Sequence, residues 1–268
     1  MEKLVYISGA SGQIGKSIRN YISSKNIKTV VMSRNVLDLY DNESFLRYDL
    51  GDRIQPVKGD FDHIFIHLAH SFDAQTKNGI DINTNALIKI KESFSSKKNK
   101  KIIFISTPDI DNKNYTSYIS AKRKSEEVLN ISNDLIIRPS WIHSSEGANK
   151  IFLKLSNYYV PMPKNNNKLA PMHLSSFSKE LFNSIFIENR TGIFLFLGQE
   201  EITFKEYLKK YHNIKSFFLP KILWRVLIFF FKKIDFKNSF YIAERIEGFI
   251  NLQDISDIKD VNISEVIV

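Results

Sequence analysis

Tyr118 and Lys122 stand four residues apart in the stretch YISAK, and their types and spacing indicate acid/base chemistry. On an α-helix, residues i and i+4 lie on one face, so the phenol and the ammonium can reach the same site. A nearby cation favours the phenolate and lowers a phenol pKa from its usual value of about 10. The pair therefore predicts a general acid/base at Tyr118, the alternative being an exposed tyrosine beside a solvated lysine.

A glycine-rich turn, GASGQIG at 9–15, is the second segment with chemical meaning. It lies between an apolar run over 3–8 and a helical pattern that begins at 13. In this context glycines allow a tight turn and a close approach to pyrophosphate, and the helix N-terminus offers N–H groups. The turn predicts a dinucleotide site, the alternative being a turn without a ligand. Its cofactor-binding residues are expected to be Gly9, Ser11, Gly12, Gln13, Ile14 and Gly15.

The residues after the second predicted strand bear on the choice of dinucleotide. NAD-binding folds often place an acidic residue there to bind the adenosine ribose. Here the chain has Ser33 and Arg34 instead. Because a guanidinium can hold a phosphate with two hydrogen bonds, this pair favours NADP(H), with NAD(H) as the alternative.

Short continuous apolar runs alternate with helical patterns, which is typical of parallel strands covered on both faces. We therefore predict a doubly wound, Rossmann-like α/β domain over 1–140. A small substrate lobe over 141–268 is expected to follow, with some segments returning to the core. Strands are expected at 3–8, 28–32, 62–68, 101–106, 134–138 and 193–197, and helices at 13–24, 80–95, 116–130, 176–188 and 203–211, the last capped by Thr203.

Composition limits the classes of function. The chain has 268 residues and no cysteine, which excludes thiolate metal sites and cysteine nucleophiles, and no metal site is predicted. A net charge of +9 can reflect binding to nucleic acid, to an anionic membrane or to phosphorylated ligands. Because it is spread along the chain apart from KKNKK at 97–101, nucleic acid is not expected. The N-terminal residues show no secretory signal pattern, and we expect a cytoplasmic protein.

The segment 217–233 is the most apolar helix candidate. Three of its four cations, Lys221, Arg225 and Lys232, fall on one narrow stripe, and its other side chains are nearly all aliphatic or aromatic. Burial or contact with a second subunit is the simplest explanation. Peripheral contact with a membrane surface is the alternative, because aromatic residues with flanking cations suit that interface.

Further motifs follow the glycine turn in order, and together they resemble the extended short-chain dehydrogenase/reductases. The likeness is to the NAD-dependent epimerase/dehydratase group acting on nucleotide sugars, and it spans residues 3 to about 211. It includes RPS at 138–140, PMHL at 171–174 and GIFLFLGQEEITFKEY at 192–207. The cofactor-binding residues that the resemblance adds are Asp49, Leu50, Leu68, Ala69, His70, Asn83 and Ser106, together with Tyr118 and Lys122.

The resemblance also implies a mechanism and a substrate, a nucleotide-diphosphate sugar. Hydride passes between the nicotinamide and a sugar carbon while Tyr118 moves a proton, Lys122 assists it, and Thr107 orients the substrate oxygen. Homodimers are common in this family, here through helices starting near 80 and 116. The substrate-binding candidates are Arg138, Ser140, His143 and His173, although both histidines can equally be structural.

One departure from the family pattern reduces the number of reactions that are expected. The family's 4,6-dehydratases have Asp and Glu after the threonine, whereas this chain has Pro108 and Asp109, which disfavours water elimination. An NADPH-dependent reductase of a nucleotide-linked 4-keto-sugar is therefore expected first. A nucleotide-sugar 4-epimerase with tightly bound NAD is the alternative, and a catalytically silent dinucleotide-binding protein is the third.

Overall fold

The computed structural model of the chain describes residues 1–71, 77–112, 116–144, 159–233, 239–259 and 265–267. Fourteen strands lie within these ranges. In chain order they are β1 (Glu2–Ser8), β2 (Thr29–Ser33), β3 (Glu43–Arg47), β4 (Phe61–His67), β5 (Lys100–Ile105), β6 (Leu135–Pro139), β7 (Ile142–His143), β8 (Tyr159–Pro163), β9 (Lys168–Leu169), β10 (Met172–His173), β11 (Gly192–Phe196), β12 (Ile202–Thr203), β13 (Lys215–Leu219) and β14 (Glu265–Ile267).

Eight α-helices accompany these strands within the described ranges. They are α1 (Gln13–Ser23), α2 (Lys77–Ser93), α3 (Ser117–Glu127), α4 (Leu174–Phe182), α5 (Phe204–His212), α6 (Lys221–Lys233), α7 (Ser239–Ile250) and α8 (Ile255–Lys259). A 3₁₀ helix covers Pro108–Asp111, and a π-helical turn over Asn183–Ile187 continues α4.

A parallel sheet of eight strands forms the centre of the fold, in the order β14-β11-β6-β5-β4-β1-β2-β3. The chain proceeds outward from β1 to β3, returns, and continues on the other side of β1 with β4. Strand order therefore reverses between β1 and β4. In open α/β sheets, ligands bind at the carboxyl ends of the strands beside such a reversal.

Apolar cores cover both faces of this sheet, as the continuous apolar runs predicted. One core joins Ile18 and Ile22 of α1 to Phe177 of α4. The opposite core joins Leu87 and Ile90 of α2 to the strands. The predicted doubly wound α/β fold is confirmed.

The second half of the chain contributes to the central sheet and also builds smaller units. β11 and β14 complete the central sheet, whereas β8 pairs with β13 and β9 with β12. Trp141, Phe204 and Tyr207 pack into a separate aromatic core beside α5. The predicted cap of α5 is present, because Thr203 and Glu206 form a reciprocal capping box.

Two predictions about individual elements need correction. β3 was not expected, because its sequence ESFLR carries two charges and only two large apolar residues. Residues 217–219 form part of β13 rather than of a helix, since Lys215–Leu219 pairs with β8, and α6 begins only after Pro220. Of three apolar residues of α2 that could serve either a dimer or the core, Leu87 and Ile90 are buried in the core and Ile82 is exposed.

The length of the helices bears on membrane contact. Within the described part of the chain, no helix combines the length and hydrophobicity needed to cross a bilayer.

Candidate active site

A cavity of about 620 Å³ opens at the carboxyl ends of the central strands, beside the reversal in strand order. Its size is within the usual range for cofactor and ligand sites. The glycine turn, the end of β5 and α3 form three of its walls. The predicted site residues that line it are Gly9, Gly12, Gln13, Ile14, Gly15, Leu68, His70, Ser106, Thr107, Tyr118, Lys122 and Ser140.

The glycine turn is shaped by close backbone contacts. Gly9 has φ +69°, and a Cβ there would lie 2.8 Å from the amide nitrogen of Ala69. A Cβ on Gly15 would lie 2.4 Å from the carbonyl oxygen of Gly9. Side chains are therefore excluded at both positions, which leaves the backbone of the turn facing the cavity.

The N-terminus of α1 can bind an anion. Its N-cap, Gly12, provides no side-chain hydrogen bond, and the first turn carries no acidic residue. Gln13 and Ile14 at this end line the cavity, where the N–H groups and the helix dipole favour negative charge. The turn and the helix end thus fit the pyrophosphate of a dinucleotide.

Helix α3 carries Tyr118 and Lys122 toward the same cavity. Thr116 caps its start by accepting a hydrogen bond from the backbone N–H of Ile119. Lys122 Nζ donates to the carbonyl oxygen of Ile105 at 2.7 Å and lies 5.7 Å from the centre of the Tyr118 ring. The predicted i, i+4 pair therefore lies on one face of α3.

Burial controls the charge of Lys122. Its side chain is almost fully buried, and desolvation lowers its pKa to about 8, with partial compensation from Glu126. At pH 7 the ammonium is therefore still mostly charged. A cation held in a site of low polarity stabilises negative charge on a neighbouring phenol oxygen more strongly than it would in water.

His70 packs edge-on against Tyr118, with ring centroids 5.0 Å apart. Burial and the nearby Lys122 lower the pKa of His70 far below its usual value, so the imidazole is neutral. It does not add positive charge beside the phenol. Its ring instead fixes the position of the Tyr118 ring at the cavity wall.

Ser106 and Thr107 follow β5 at the floor of the cavity. Ser106 Oγ is buried and has no hydrogen-bond partner among the described residues. Thr107 has an extended backbone and does not cap the 3₁₀ helix that follows it, so strand-end capping does not explain its presence. Both hydroxyls are therefore suited to a ligand in the cavity.

The carboxyl group of Asp109 also lies in the cavity wall, although no role at the site was predicted for it. Burial raises its pKa to about 6, against the lowering effect of the backbone N–H of Gln253. In the folded protein it is thus mostly neutral below about pH 6, and at pH 7 it is mostly charged.

Some predicted cofactor residues lie outside the cavity wall. Arg34 is exposed, and Ser33 ends β2 at the same sheet edge as the glycine turn. Asp49 is exposed and accepts a hydrogen bond from the N–H of Leu50. Ser11 is exposed on the turn itself, and Ala69 contributes its backbone next to Gly9.

Asn83 does not line the cavity but binds a residue that does. Its side chain binds both backbone groups of Ser71, accepting from the N–H at 2.9 Å and donating to the carbonyl at 3.1 Å. Because His70 and Ser71 line the cavity, Asn83 anchors the loop after β4 to α2.

The assignment of Arg138 to substrate needs correction. Its guanidinium forms a two-point ion pair with Glu126 of α3, the shorter contact being 2.7 Å, and also reaches Asp111 at 3.4 Å. Arg138 does not line the cavity, whereas its neighbour Ser140 does. The arginine therefore ties β6 to the helix that carries Tyr118.

Removing this arginine should destabilise the fold. In Arg138→Ala, Glu126 would remain 90% buried without its partner, and breaking such a pair costs about 3–5 kcal/mol. Urea unfolding of Arg53→Ala provides the control, because the Arg53–Glu92 pair is exposed and worth less than about 1 kcal/mol. Equal effects of the two substitutions would contradict the structural role of Arg138.

His143 and His173 are likewise placed outside the cavity wall. His173 is the N-cap of α4 and accepts a hydrogen bond from the backbone N–H of Ser175. His143 packs against Tyr211, with ring centroids 4.4 Å apart. The expectation that they bind substrate is not supported by these contacts, which are structural.

Sequence reasoning missed the wall that the C-terminal segment provides. The cavity is also lined by Glu244 and Gly248 of α7 and by Asn251 and Gln253, which follow it. The Glu244 carboxylate accepts from both the N–H and the hydroxyl of Ser117, next to Tyr118. No motif marks these residues, so the sequence held no signal for them.

The fold is similar to that of several solved structures. No family model and no curated protein sequence matches the chain. Among solved structures it is similar to the dTDP-glucose 4,6-dehydratase of Bacillus anthracis in complex with NAD. The TM-score is 0.63 at 13% identity, covering 81% of this chain and 84% of that chain.

Two further structures show the same likeness. The UDP-glucose 4-epimerase of Thermus thermophilus in complex with NAD gives a TM-score of 0.60 at 15% identity, covering 81% of this chain and 86% of that one. The human epimerase family protein SDR39U1 with NADPH gives a TM-score of 0.65 at 11% identity, covering 83% of this chain and 85% of that one. The chain therefore has the same fold as these dehydratase and epimerase structures, which is the fold that the resemblance implied.

Proposed function

We propose that this protein is a nicotinamide-dinucleotide-dependent oxidoreductase of nucleotide sugars, and that it reduces a nucleotide-linked 4-keto-sugar with NADPH. The observation that supports this most strongly is the meeting of the glycine turn, Thr107, Tyr118 and Lys122 around one cavity. A bound nicotinamide dinucleotide would supply the hydride. The structural neighbours named above, an epimerase and a dehydratase of nucleotide sugars, agree with this class.

The roles of the residues follow from their positions. The turn over 9–15 and the N-terminus of α1 hold the pyrophosphate of the cofactor. Tyr118 donates a proton to the keto oxygen of the sugar while Thr107 orients that oxygen. Lys122 stabilises the negative charge that Tyr118 then carries, and Ser106 supplies a hydroxyl to a ligand in the cavity floor.

The preference for NADPH rests on the end of β2. Ser33 and Arg34 stand where an acidic residue would bind an unphosphorylated ribose, and β2 pairs with β1 beside the glycine turn. An exposed guanidinium at this edge can bind the additional phosphate with two hydrogen bonds. A carboxylate at the same position would repel that phosphate.

Reversing this charge should therefore separate the two cofactors. We expect Arg34→Glu to weaken NADPH binding by roughly tenfold or more and to leave NADH binding within about twofold, measured by calorimetric titration. Lys179→Glu, which makes the same charge change on the exposed side of α4, serves as control. A wild-type protein that binds NAD(H) more tightly than NADP(H) would contradict the reductase and favour the 4-epimerase.

A further inference from the structure

We infer that α6 docks this protein on an anionic membrane surface. This inference is independent of the reaction proposed above. It concerns the exposed apolar face, defined as eight apolar side chains of β13 and α6 that are each at least 39% exposed. They are Phe217, Phe218, Ile222, Leu223, Val226, Leu227, Phe229 and Phe230.

The arrangement of α6 is that of a helix lying in an interface. At about 100° per residue, its six members of the exposed apolar face cover an arc of about 160°. Trp224 and Ile228 point the other way and pack against Ala243 of α7. Proteins that remain in water rarely expose contiguous apolar area of this kind, so a partner for the face is expected.

The charges around the face identify the partner's chemistry. Residues 207–234 contain seven lysines and arginines and no aspartate or glutamate. Lys221 and Arg225 lie along one edge of the exposed face and are themselves exposed. Cations bordering an apolar helix face are typical of segments that bind anionic lipid, where the aliphatic stems are buried and the charges reach the headgroups.

Cation–aromatic pairs extend this pattern around the rim. Lys233 lies 4.5 Å from the centre of the Phe229 ring, and Lys205 lies 4.9 Å from that of Phe218. Each pair places an exposed aromatic ring beside a positive charge. Aromatic rings prefer the level of the headgroups in a bilayer, and lysine charges prefer the lipid phosphates just above them.

A second copy of the chain is a poorer partner for the same face. A two-fold dimer brings the same surface patch of both subunits together, so the cations of this patch, Lys221 and Arg225 among them, would lie at one interface with those of the second copy. Like charges brought together at an interface oppose association. Anionic lipid headgroups instead complement these cations. With 13 residues, α6 fits a position in the plane of the surface.

Docking would place the active-site cavity near the lipid surface. α6 packs on α7, and α7 provides Glu244 and Gly248 to the cavity wall. The carboxylate of Glu244 binds Ser117 at the start of α3. The docked face is thus connected, through one helix, to the helix that carries Tyr118.

Co-sedimentation of the full chain with vesicles tests the inference. We expect binding to vesicles of 70% phosphatidylcholine and 30% phosphatidylglycerol to exceed binding to pure phosphatidylcholine by roughly tenfold or more, and to weaken as salt rises. The double variant Ile222→Glu/Phe230→Glu should lose roughly tenfold or more of this binding. Ile131→Glu and Ile187→Glu change exposed isoleucines elsewhere and should bind like the wild type.

Circular dichroism and the melting temperature of the double variant establish that it folds, which is expected because both side chains are more than half exposed. Equal binding to neutral and anionic vesicles, or unchanged binding by the folded double variant, would overturn the inference. A stable dimer in light scattering that the double variant dissociates, with no vesicle binding by the wild type, would assign the face to a second copy instead.

Discussion

Replacing Tyr118 by phenylalanine is expected to lower turnover by roughly 10²–10⁴-fold while leaving dinucleotide binding within about twofold. The substitution removes the hydroxyl that donates the proton but keeps the ring that packs edge-on against His70. Lys122 remains hydrogen-bonded to the carbonyl of Ile105, so the cavity wall keeps its shape. Steady-state kinetics and cofactor titration on the same preparation measure the two effects separately.

Tyr159→Phe provides the matched control, because Tyr159 is 69% exposed on β8 and does not line the cavity. It should turn over like the wild type. Full turnover by Tyr118→Phe would remove Tyr118 from the chemistry. An unchanged biological output from a Tyr118→Phe protein that still binds the dinucleotide would favour the catalytically silent binder.

A methyl group at Gly15 is expected to abolish measurable dinucleotide binding and to destabilise the fold. The new Cβ would lie 2.4 Å from the carbonyl oxygen of Gly9 and 2.8 Å from the Cα of Ala10, and both are backbone atoms. The start of α1 must therefore move away from the turn, which displaces the N–H groups that face the cavity. Overpacking of this kind typically costs about 1–3 kcal/mol.

Gly248→Ala is the control for this second prediction. Gly248 also lines the cavity, but a Cβ there would meet no atom within 4 Å. Alanine in the interior of α7 should raise stability by up to about 1 kcal/mol, because it favours the helix. Thermal unfolding and dinucleotide titration of both variants provide the comparison. Normal binding by Gly15→Ala would mean that the turn does not hold the pyrophosphate.

The centre of the candidate site could be predicted because it depends on short-range rules. Tyr118 and Lys122 meet through helical periodicity alone. The glycine turn and Thr107 converge with them because parallel strands end at one edge of the sheet, beside the reversal in strand order. Predicting these positions requires only the order and type of the helices and strands, and no knowledge of distant contacts.

The errors arise where a distant partner decides the role of a residue. Arg138 matches a family motif, but its guanidinium is bound by Glu126 and Asp111, and the motif gives no sign of either. Residues 217–219 become strand because β8 lies beside them, which an apolar run cannot reveal.

The wall provided by Glu244 and Gly248 could not be predicted for a related reason. Its residues carry no recognisable motif, and they reach the cavity only because α7 packs on α6 and binds the start of α3. The contact with α3 joins Ser117 and Glu244, which are 127 residues apart in the sequence. The sequence therefore indicated the walls formed by the glycine turn, the end of β5 and α3, and left the wall formed by α7 undefined.

Transfer of deuterium from NADPH to the sugar is the sharpest test of the proposed reduction. The full chain is incubated with NADPH deuterated at both C4 positions and a panel of nucleotide-linked 4-keto-hexoses, and the sugar products are analysed by mass spectrometry. If the protein reduces the keto-sugar with NADPH, each product molecule carries one deuterium and one NADP⁺ forms per product. The Tyr118→Phe variant should form neither the labelled sugar nor NADP⁺. Interconversion of UDP-hexoses without added NADPH, or no label in any sugar despite NADPH binding in the cavity, would contradict it.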